Sequence, residues 1–206
     1  MLKHIVFIIF LLLFPARAYT GNIDDLIGML RSGDNLLRIE ASEKLKKIGP
    51  SVDHQLLKLL KEEDDKVRRS IIWILGERKN RDYMKHLLPF LDENHDLSRS
   101  TIVALGKIRN PRAIPHIVKK LQSKSRYIRT DAVYSLGRIG DKSAFSHVIS
   151  LKDDPDWHVR EAVAMTLGNI GGQDAGKHLK TMALNDPDIL VRIAAEDSLK
   201  NLKVKP

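Results

Sequence analysis

Six leucines in near-constant step limit what this chain can fold into. Leu45, Leu75, Leu105, Leu136, Leu167 and Leu199 follow one another at intervals of 30, 30, 31, 31 and 32 residues. Eight positions before each stands an aliphatic residue: Leu37, Val67, Leu97, Ile128, Val159 and Val191. Three positions earlier again stand Asp34, Asp64, Asn94, Ser125, Asp156 and Asp188. All six are residue types whose side-chain oxygen can take an orphan backbone N–H at a helix start. Self-similarity at this period marks stacked supersecondary units, each unable to bury its apolar faces alone.

Within a unit the apolar spacing is helical. In the fourth copy it runs Ile128, Ala132, Leu136 and Ile139, and Gly140 supplies a C-terminal stop. Gly49 and Gly171 stop the first and fifth copies in the same way. Each such helix (B) follows another (A). The A helices open with Asn80, Asn110-Pro111 and Asp141, and Ile114, Ile117, Val118 and Leu121 line one face. No segment alternates as a strand would. The pattern predicts an all-α, right-handed α-α superhelix (solenoid) of about six two-helix repeats. Their approximate bounds are 22–49, 50–79, 80–109, 110–140, 141–171 and 172–206.

Residues 1–18 stand apart. Lys3 and His4 precede the unbroken apolar run Ile5 to Phe14; Pro15 ends it, and Ala16-Arg17-Ala18 offers small residues where signal peptidases read. The order is that of a secretory signal peptide, and the run is about half of the roughly 20 residues a membrane span requires. The expectation is export to a bacterial periplasm or beyond, with residues 19–206 as the solenoid and no stable membrane insertion once the signal is cut. The retained-anchor reading stays open. The chain has no cysteine, so it can hold no cysteine-ligated metal and use no thiol nucleophile. Its formal charge of +9 falls to +7 once Lys3 and Arg17 leave with the signal, which points to an acidic partner. Aromatic residues make up 5%, too few to stack many nucleic-acid bases.

The run Asp156-Trp157-His158-Val159-Arg160-Glu161-Ala162-Val163-Ala164-Met165-Thr166-Leu167-Gly168-Asn169-Ile170-Gly171 resembles the HEAT-like repeat first named from phycobilisome lyases. Tyr127 to Gly140 and Val67 to Gly76 follow the same pattern. The resemblance covers nearly all of 22–202. It implies the fold and leaves function open, because the family includes lyase subunits, regulators and scaffolds.

Three further columns invite functional readings. Arg38, Arg68, Arg129, Arg160 and Arg192 directly follow the register aliphatic, with Ser98 the exception. The family pattern implies that they bond aspartates and backbone in neighbouring turns rather than track phosphates. His86, His116, His147 and His178 recur on helix A, off its apolar face. Helices packed roughly 8–10 Å apart cannot bring three of them to a metal at about 2 Å. None of the eight histidines precedes a glutamate, unlike the His-Glu iron ligands of the HEAT-like deoxyhypusine hydroxylase. Gly76, Gly106, Gly137 and Gly168 sit late in helix B, where a glycine costs roughly 1 kcal/mol against alanine. Close helix approach is the expected reason. There is no phosphate loop, nucleophile elbow or His-Glu-x-x-His pair. No catalytic residue, metal site or cofactor is therefore expected.

The fifth and sixth residues after the register aliphatic are polar at the ends, Ser42/Glu43 and Glu196/Asp197, as terminal repeats require. In the four middle copies they are Ile72/Trp73, Ile102/Val103, Val133/Tyr134 and Ala164/Met165. The fifth position is expected to be buried and the sixth exposed, placing Trp73, Val103, Tyr134 and Met165 in a stripe along the concave surface. Arg69, Arg99, Lys107 and Arg138 fall near it. An apolar strip rimmed by cations is a binding signature. The reading is a non-enzymatic scaffold for a protein or peptide of acidic character. Two alternatives remain: an accessory subunit of a lyase-like enzyme, which only the resemblance implies, and nucleic-acid binding, which the charge suits and the export signal does not.

Overall fold

A computed structural model describes residues 22–61 and 64–204; the expected signal segment lies outside them. Among the described residues there are twelve α-helices and no strand. The B elements are α2 (Asn35–Ile48), α4 (Asp65–Arg78), α6 (His95–Ile108), α8 (Arg126–Ile139), α10 (Trp157–Ile170) and α12 (Ile189–Val204). The A elements are α1 (Ile23–Leu30), α3 (Asp53–Leu59), α5 (Met84–Leu87), α7 (Ile114–Val118), α9 (Phe145–Ile149) and α11 (Gln173–Asn185). Each B helix packs on the next, and the A elements cover one side of that layer. The result is the expected stack.

Local chemistry sets the boundaries. Asp34, Asp64, Asn94, Asp156 and Asp188 accept backbone N–H bonds two or three residues on, as caps should. Ser125 departs from this expectation: its hydroxyl makes no cap bond and meets His95 Nε2 at 3.1 Å instead. A hydroxyl is the weakest acceptor of the set, and the imidazole of the preceding repeat outcompetes the local N–H. Gly49, Gly140 and Gly171 close their helices at φ of 84°, 73° and 77°, a region that disfavours side chains. In the second and third copies Lys79 and Arg109 take that left-handed place, at a cost of roughly 1–2 kcal/mol each.

In the middle copies the A elements are not continuous α-helices. Asn80, Asn110 and Asp141 cap 3-10 turns, and short α-helical stretches follow. Leu88–Asp92 and Lys119–Gln122 return to 3-10 geometry. Pro89 lacks the N–H that an α-helix would need there.

The core runs the length of the stack. Leu45, Leu75, Leu105, Leu136 and Leu167 are wholly buried, as are Ala41, Ile71, Thr101, Ala132, Val163 and Ala195 four residues after the register aliphatic. Leu37, the aliphatic of the first copy, is 39% exposed. Among the described residues no repeat precedes it to cover it.

The glycine column has the expected role. A Cβ on Gly76 would lie 2.9 Å from Ala104 Cα, and one on Gly106 would lie 2.8 Å from Ser135 Cα. Gly137 and Gly168 meet Thr166 and Ser198 in the same way. Successive B helices therefore touch through bare backbone. Ser135 Oγ donates to the Ile102 carbonyl at 2.9 Å and Thr166 Oγ1 to that of Val133 at 3.2 Å, fixing register across the contact.

The arginine column is also structural. Arg129 grips both carboxylate oxygens of Asp154 at 2.8 Å and donates to the Ser123 carbonyl. Arg160 does the same to Asp186, at 2.9 and 3.0 Å, and to the Asp154 carbonyl. Each tie joins one repeat to the A–B turn of the next, in the planar two-bond geometry that suits guanidinium. Arg38 and Arg192 bond turn carbonyls of their own repeats. Arg78 makes a different tie. It occupies a column that is aliphatic in the other copies, is half-buried with its side chain largely enclosed, and donates to the Leu45 carbonyl at 2.6 Å while pairing with Asp53. Asp53 in turn accepts from the Tyr83 hydroxyl. First, second and third repeats are thereby linked through one half-buried cluster.

Candidate interaction face

The face of the B layer turned away from the A elements is built from residues one before and two, three, six and ten after each register aliphatic. Those positions fall within about 100° on a helix of 3.6 residues per turn. The buried fifth-position column behaves as expected: Ile72, Ile102, Val133 and Ala164 are inaccessible. Ser42 in the first copy is buried too, and its hydroxyl donates to the Arg38 carbonyl.

The expected stripe at the sixth position is more enclosed than the sequence suggests. Met165 is 44% exposed, but Trp73, Val103 and Tyr134 are half-buried. Lys46 sits 4.9 Å from the Trp73 ring and Lys107 6.0 Å from it, one from each neighbouring repeat. The Tyr134 hydroxyl contacts Met165 Sδ at 3.5 Å. Burial first, and the nearby Glu161 carboxylate second, push the Tyr134 phenol above its ordinary value.

The expected cationic rim needs correction. Arg69 pairs with Asp96 at 3.2 Å, Arg99 with Asp131 at 2.7 Å, and Lys107 with Glu77. The Lys107 ammonium, by hydrogen bond and charge, outweighs burial and holds the Glu77 carboxyl below the usual carboxylate range. Only Arg138 among the four is exposed and without an ion pair among the described residues. Successive repeats thus neutralise one another on this face, so it presents a lattice of ion pairs and no continuous basic track.

A second row appears where sequence reasoning did not look. Leu36 is 72% and Ile39 52% exposed in the first copy, and Leu190 and Ile193 are 45% and 46% exposed in the last. They occupy the same offsets, one before and two after the register residue, that hold Lys66/Arg69 and Asp96/Arg99 in the second and third copies. Tyr127 shares this row. Its ring lies 5.2 Å from the Arg99 guanidinium and 4.7 Å from that of Arg126. The signal was present in the repeat register: the terminal copies carry aliphatics where the second and third carry charge.

Three open grooves lie between B helices. One of about 420 Å³ between α2 and α4 is lined by Ile39, Trp73, Arg38, Lys66, Arg69 and Glu43 among others. A second, about 290 Å³, lies on the other side of Trp73 and brings together Arg69, Arg99, Val103 and Lys107. The third, about 320 Å³ between α10 and α12, is lined by Met165, Leu190, Ile193, Glu161 and Asp197 among others. Arg138 belongs to none of them. The helix-A histidines lie on the other layer, where His178 packs against Phe145 at 6.2 Å. Among the described residues no three His, Asp or Glu side chains converge as a metal site would require, and no helix is long and apolar enough to cross a membrane.

Comparison with known proteins agrees with this architecture. No curated protein is similar enough in sequence to count as a relative. Among solved structures, the complex of CpcE and CpcF of phycocyanin lyase from Nostoc sp. PCC7120 is similar at a TM-score of 0.63 and 21% identity, over 88% of this chain and 78% of that one. YIBA from E. coli matches at 0.67 and 19%, over 92% and 78%. A designed armadillo repeat protein in complex with the peptide (KR)4 matches at 0.57 and 18%, over 88% and 100%. At such identities the likeness is one of fold. The family model for HEAT repeats matches residues 54–135 and 114–200, most of the chain. With six helical hairpins stacked through a glycine column, this chain belongs to the HEAT-repeat family.

Proposed function

We propose that the chain is an exported, non-enzymatic scaffold that holds a protein or peptide partner along the exposed face of its B layer. The observation that carries this is the clustering of exposed apolar side chains. Of the nine large apolar side chains more than 40% exposed among the described residues, six lie on that one face, Leu36, Ile39, Tyr127, Met165, Leu190 and Ile193, whereas Ile48, Leu184 and Ile189 lie off it. Exposed apolar area concentrated on one side of a monomer marks an interaction surface. The designed armadillo protein that resembles this chain in fold holds a peptide, which suits the same reading. The nucleic-acid alternative loses its main support, because Asp96, Asp131 and Glu77 interrupt any basic run. The lyase-subunit alternative retains the fold likeness to the CpcE–CpcF complex.

A photo-crosslinking side chain placed at Ile39, Val103 or Ile193 in the producing cell should trap one discrete protein species. The same probe at His116, on the A layer, should not. Equal trapping from both layers, or none from the B layer, would overturn the proposal. Trp73→Ala is a poor reporter here, because the half-buried ring packs on the core and its loss costs stability as well as contact. Ile39→Lys removes exposed apolar surface only. It should abolish trapping at Val103 while leaving the melting temperature within about 2 °C, as surface substitutions do.

A further inference from the structure

The two apolar grooves at the ends of this face carry opposite charge. In the α2/α4 groove Ile39 and Trp73 are flanked by Arg38 and Lys66, and by Arg69, which Asp96 neutralises, against the single carboxylate of Glu43. Glu43 is itself paired with Lys46 at 2.6 Å. Arg38 is bonded only to neutral groups, the Ser32 carbonyl and the Asn35 amide oxygen. Lys66 is exposed and has no ion pair among the described residues. In the α10/α12 groove Met165, Leu190 and Ile193 are flanked by Glu161 and Asp197, with no cation in the lining. Asp197 pairs with Lys200 at 2.8 Å, both well exposed. Glu161 has no ion pair among the described residues. Between the grooves Arg69, Arg99 and Lys107 are each neutralised by a neighbour.

From this polarity we propose that the face takes an extended peptide segment with an apolar-acidic end and an apolar-basic end, seated in the α2/α4 and α10/α12 grooves respectively. The inference rests on the scaffold reading above and specifies its partner. Charge complementarity identifies the occupant. An aliphatic side chain covers Ile39 and the Trp73 edge while a carboxylate meets Lys66 and Arg38, and a second aliphatic covers Leu190 and Ile193 while an ammonium meets Glu161. The grooves are four repeat steps apart, roughly 35 Å at ordinary helix spacing. An extended chain covers that distance with about 10–12 residues. The middle of the segment crosses a surface whose charges are already paired, so its own side chains there are neutral or of mixed sign. Once one end is seated, the other binds at high effective concentration, provided the connecting chain is long enough.

Synthetic peptides test this directly on the mature chain by fluorescence anisotropy at low salt. The first carries leucines flanked by glutamates at one end and leucines flanked by lysines at the other, joined by about ten glycine, serine and threonine residues. Companions carry glutamates at both ends, lysines at both ends, or the dipolar ends on a joint of about four residues. The dipolar long peptide should bind about fivefold or more tighter than either like-charged one, from the loss of one complementary charge pair per mismatch. It should bind more than tenfold tighter than the short-jointed one. Lys66→Glu should move the preference to the doubly basic peptide, and Glu161→Lys to the doubly acidic one. Equal binding of the three charge patterns, or no change of preference in the two variants, would overturn the inference. If that happens while crosslinking at Val103 still traps a partner, the scaffold reading stands and only the polarity falls. If neither peptides nor crosslinks engage the face, both fall.

Discussion

Gly106→Ala is the sharpest perturbation the fold offers, because one methyl group must act on the contact that sets the spacing of the whole stack. The added carbon would lie 2.7 Å from Ser135 Oγ and 2.8 Å from both its Cα and Cβ. Carbon atoms rest at about 3.5–4.0 Å, so α6 and α8 must part by roughly 0.7–1 Å. The obstructing Cα is backbone and cannot rotate aside. Overpacking of this kind costs about 1–3 kcal/mol. Parting the helices also stretches the buried 2.9 Å bond from Ser135 Oγ to the Ile102 carbonyl, worth about 1 kcal/mol. Alanine returns about 1 kcal/mol of helix propensity. The net loss is about 1–3 kcal/mol. With a urea slope of about 2 kcal/mol/M, the midpoint should fall by roughly 0.5–1.5 M in a far-UV circular dichroism titration. Gly28 and Gly176, also helical, have nothing within 4 Å of the place a methyl group would take. Alanine at either should raise stability by up to about 1 kcal/mol. If Gly106→Ala is as stable as Gly28→Ala, helix contact is not the reason for the glycine column.

Other expectations follow from particular side chains. Burial pushes the Asp186 carboxyl up, but the Arg160 guanidinium and the Asp188 N–H outweigh it and hold it below the usual carboxylate range. Its stabilisation is therefore full above the unfolded-state pKa of about 4 and is lost as pH falls through the lower folded value. Asp186→Asn should lower the melting temperature at neutral pH and flatten its decline below about pH 4; parallel curves for the two proteins would refute this. Thr101 Oγ1 is buried without a hydrogen-bond partner, so Thr101→Val should stabilise by about 1 kcal/mol in the same titration, and a loss of stability would show that the hydroxyl is satisfied. Sequencing the N-terminus of exported protein should give Tyr19; recovery of Met1 in a membrane fraction would refute signal cleavage.

The architecture was legible because each of its causes repeats. A leucine that must be buried, a cap that must accept an N–H and a glycine that must admit a neighbour each recur in nearly every copy, and the structure places them as the spacing predicts. The candidate face was legible only in part. Ion pairs such as Arg99–Asp131 join residues 32 apart, and which acid of the next repeat comes within reach depends on the offset between neighbouring helices. Half-burial of Trp73 likewise depends on Lys46 and Lys107 closing over it from both sides. The apolar ends at Leu36, Ile39, Leu190 and Ile193 were readable in principle. They stand out once the row one before and two after the register residue is compared across copies, as the sixth-position row was. Arg78 announced itself too, as the one cation in a column otherwise filled by Ile48, Ile108, Ile139, Ile170 and Leu202.

That arginine gives the molecule a mechanical asymmetry. In a stack held by adjacent contacts alone, repeats peel from either end with equal ease. The half-buried cluster of Arg78, Asp53 and Tyr83, with its bond to the Leu45 carbonyl, acts as a strut across three successive units. Pulled between its termini, the chain should release its first three repeats together in a single larger rip, while the last three, tied pairwise by Arg129–Asp154 and Arg160–Asp186, come away in smaller successive steps.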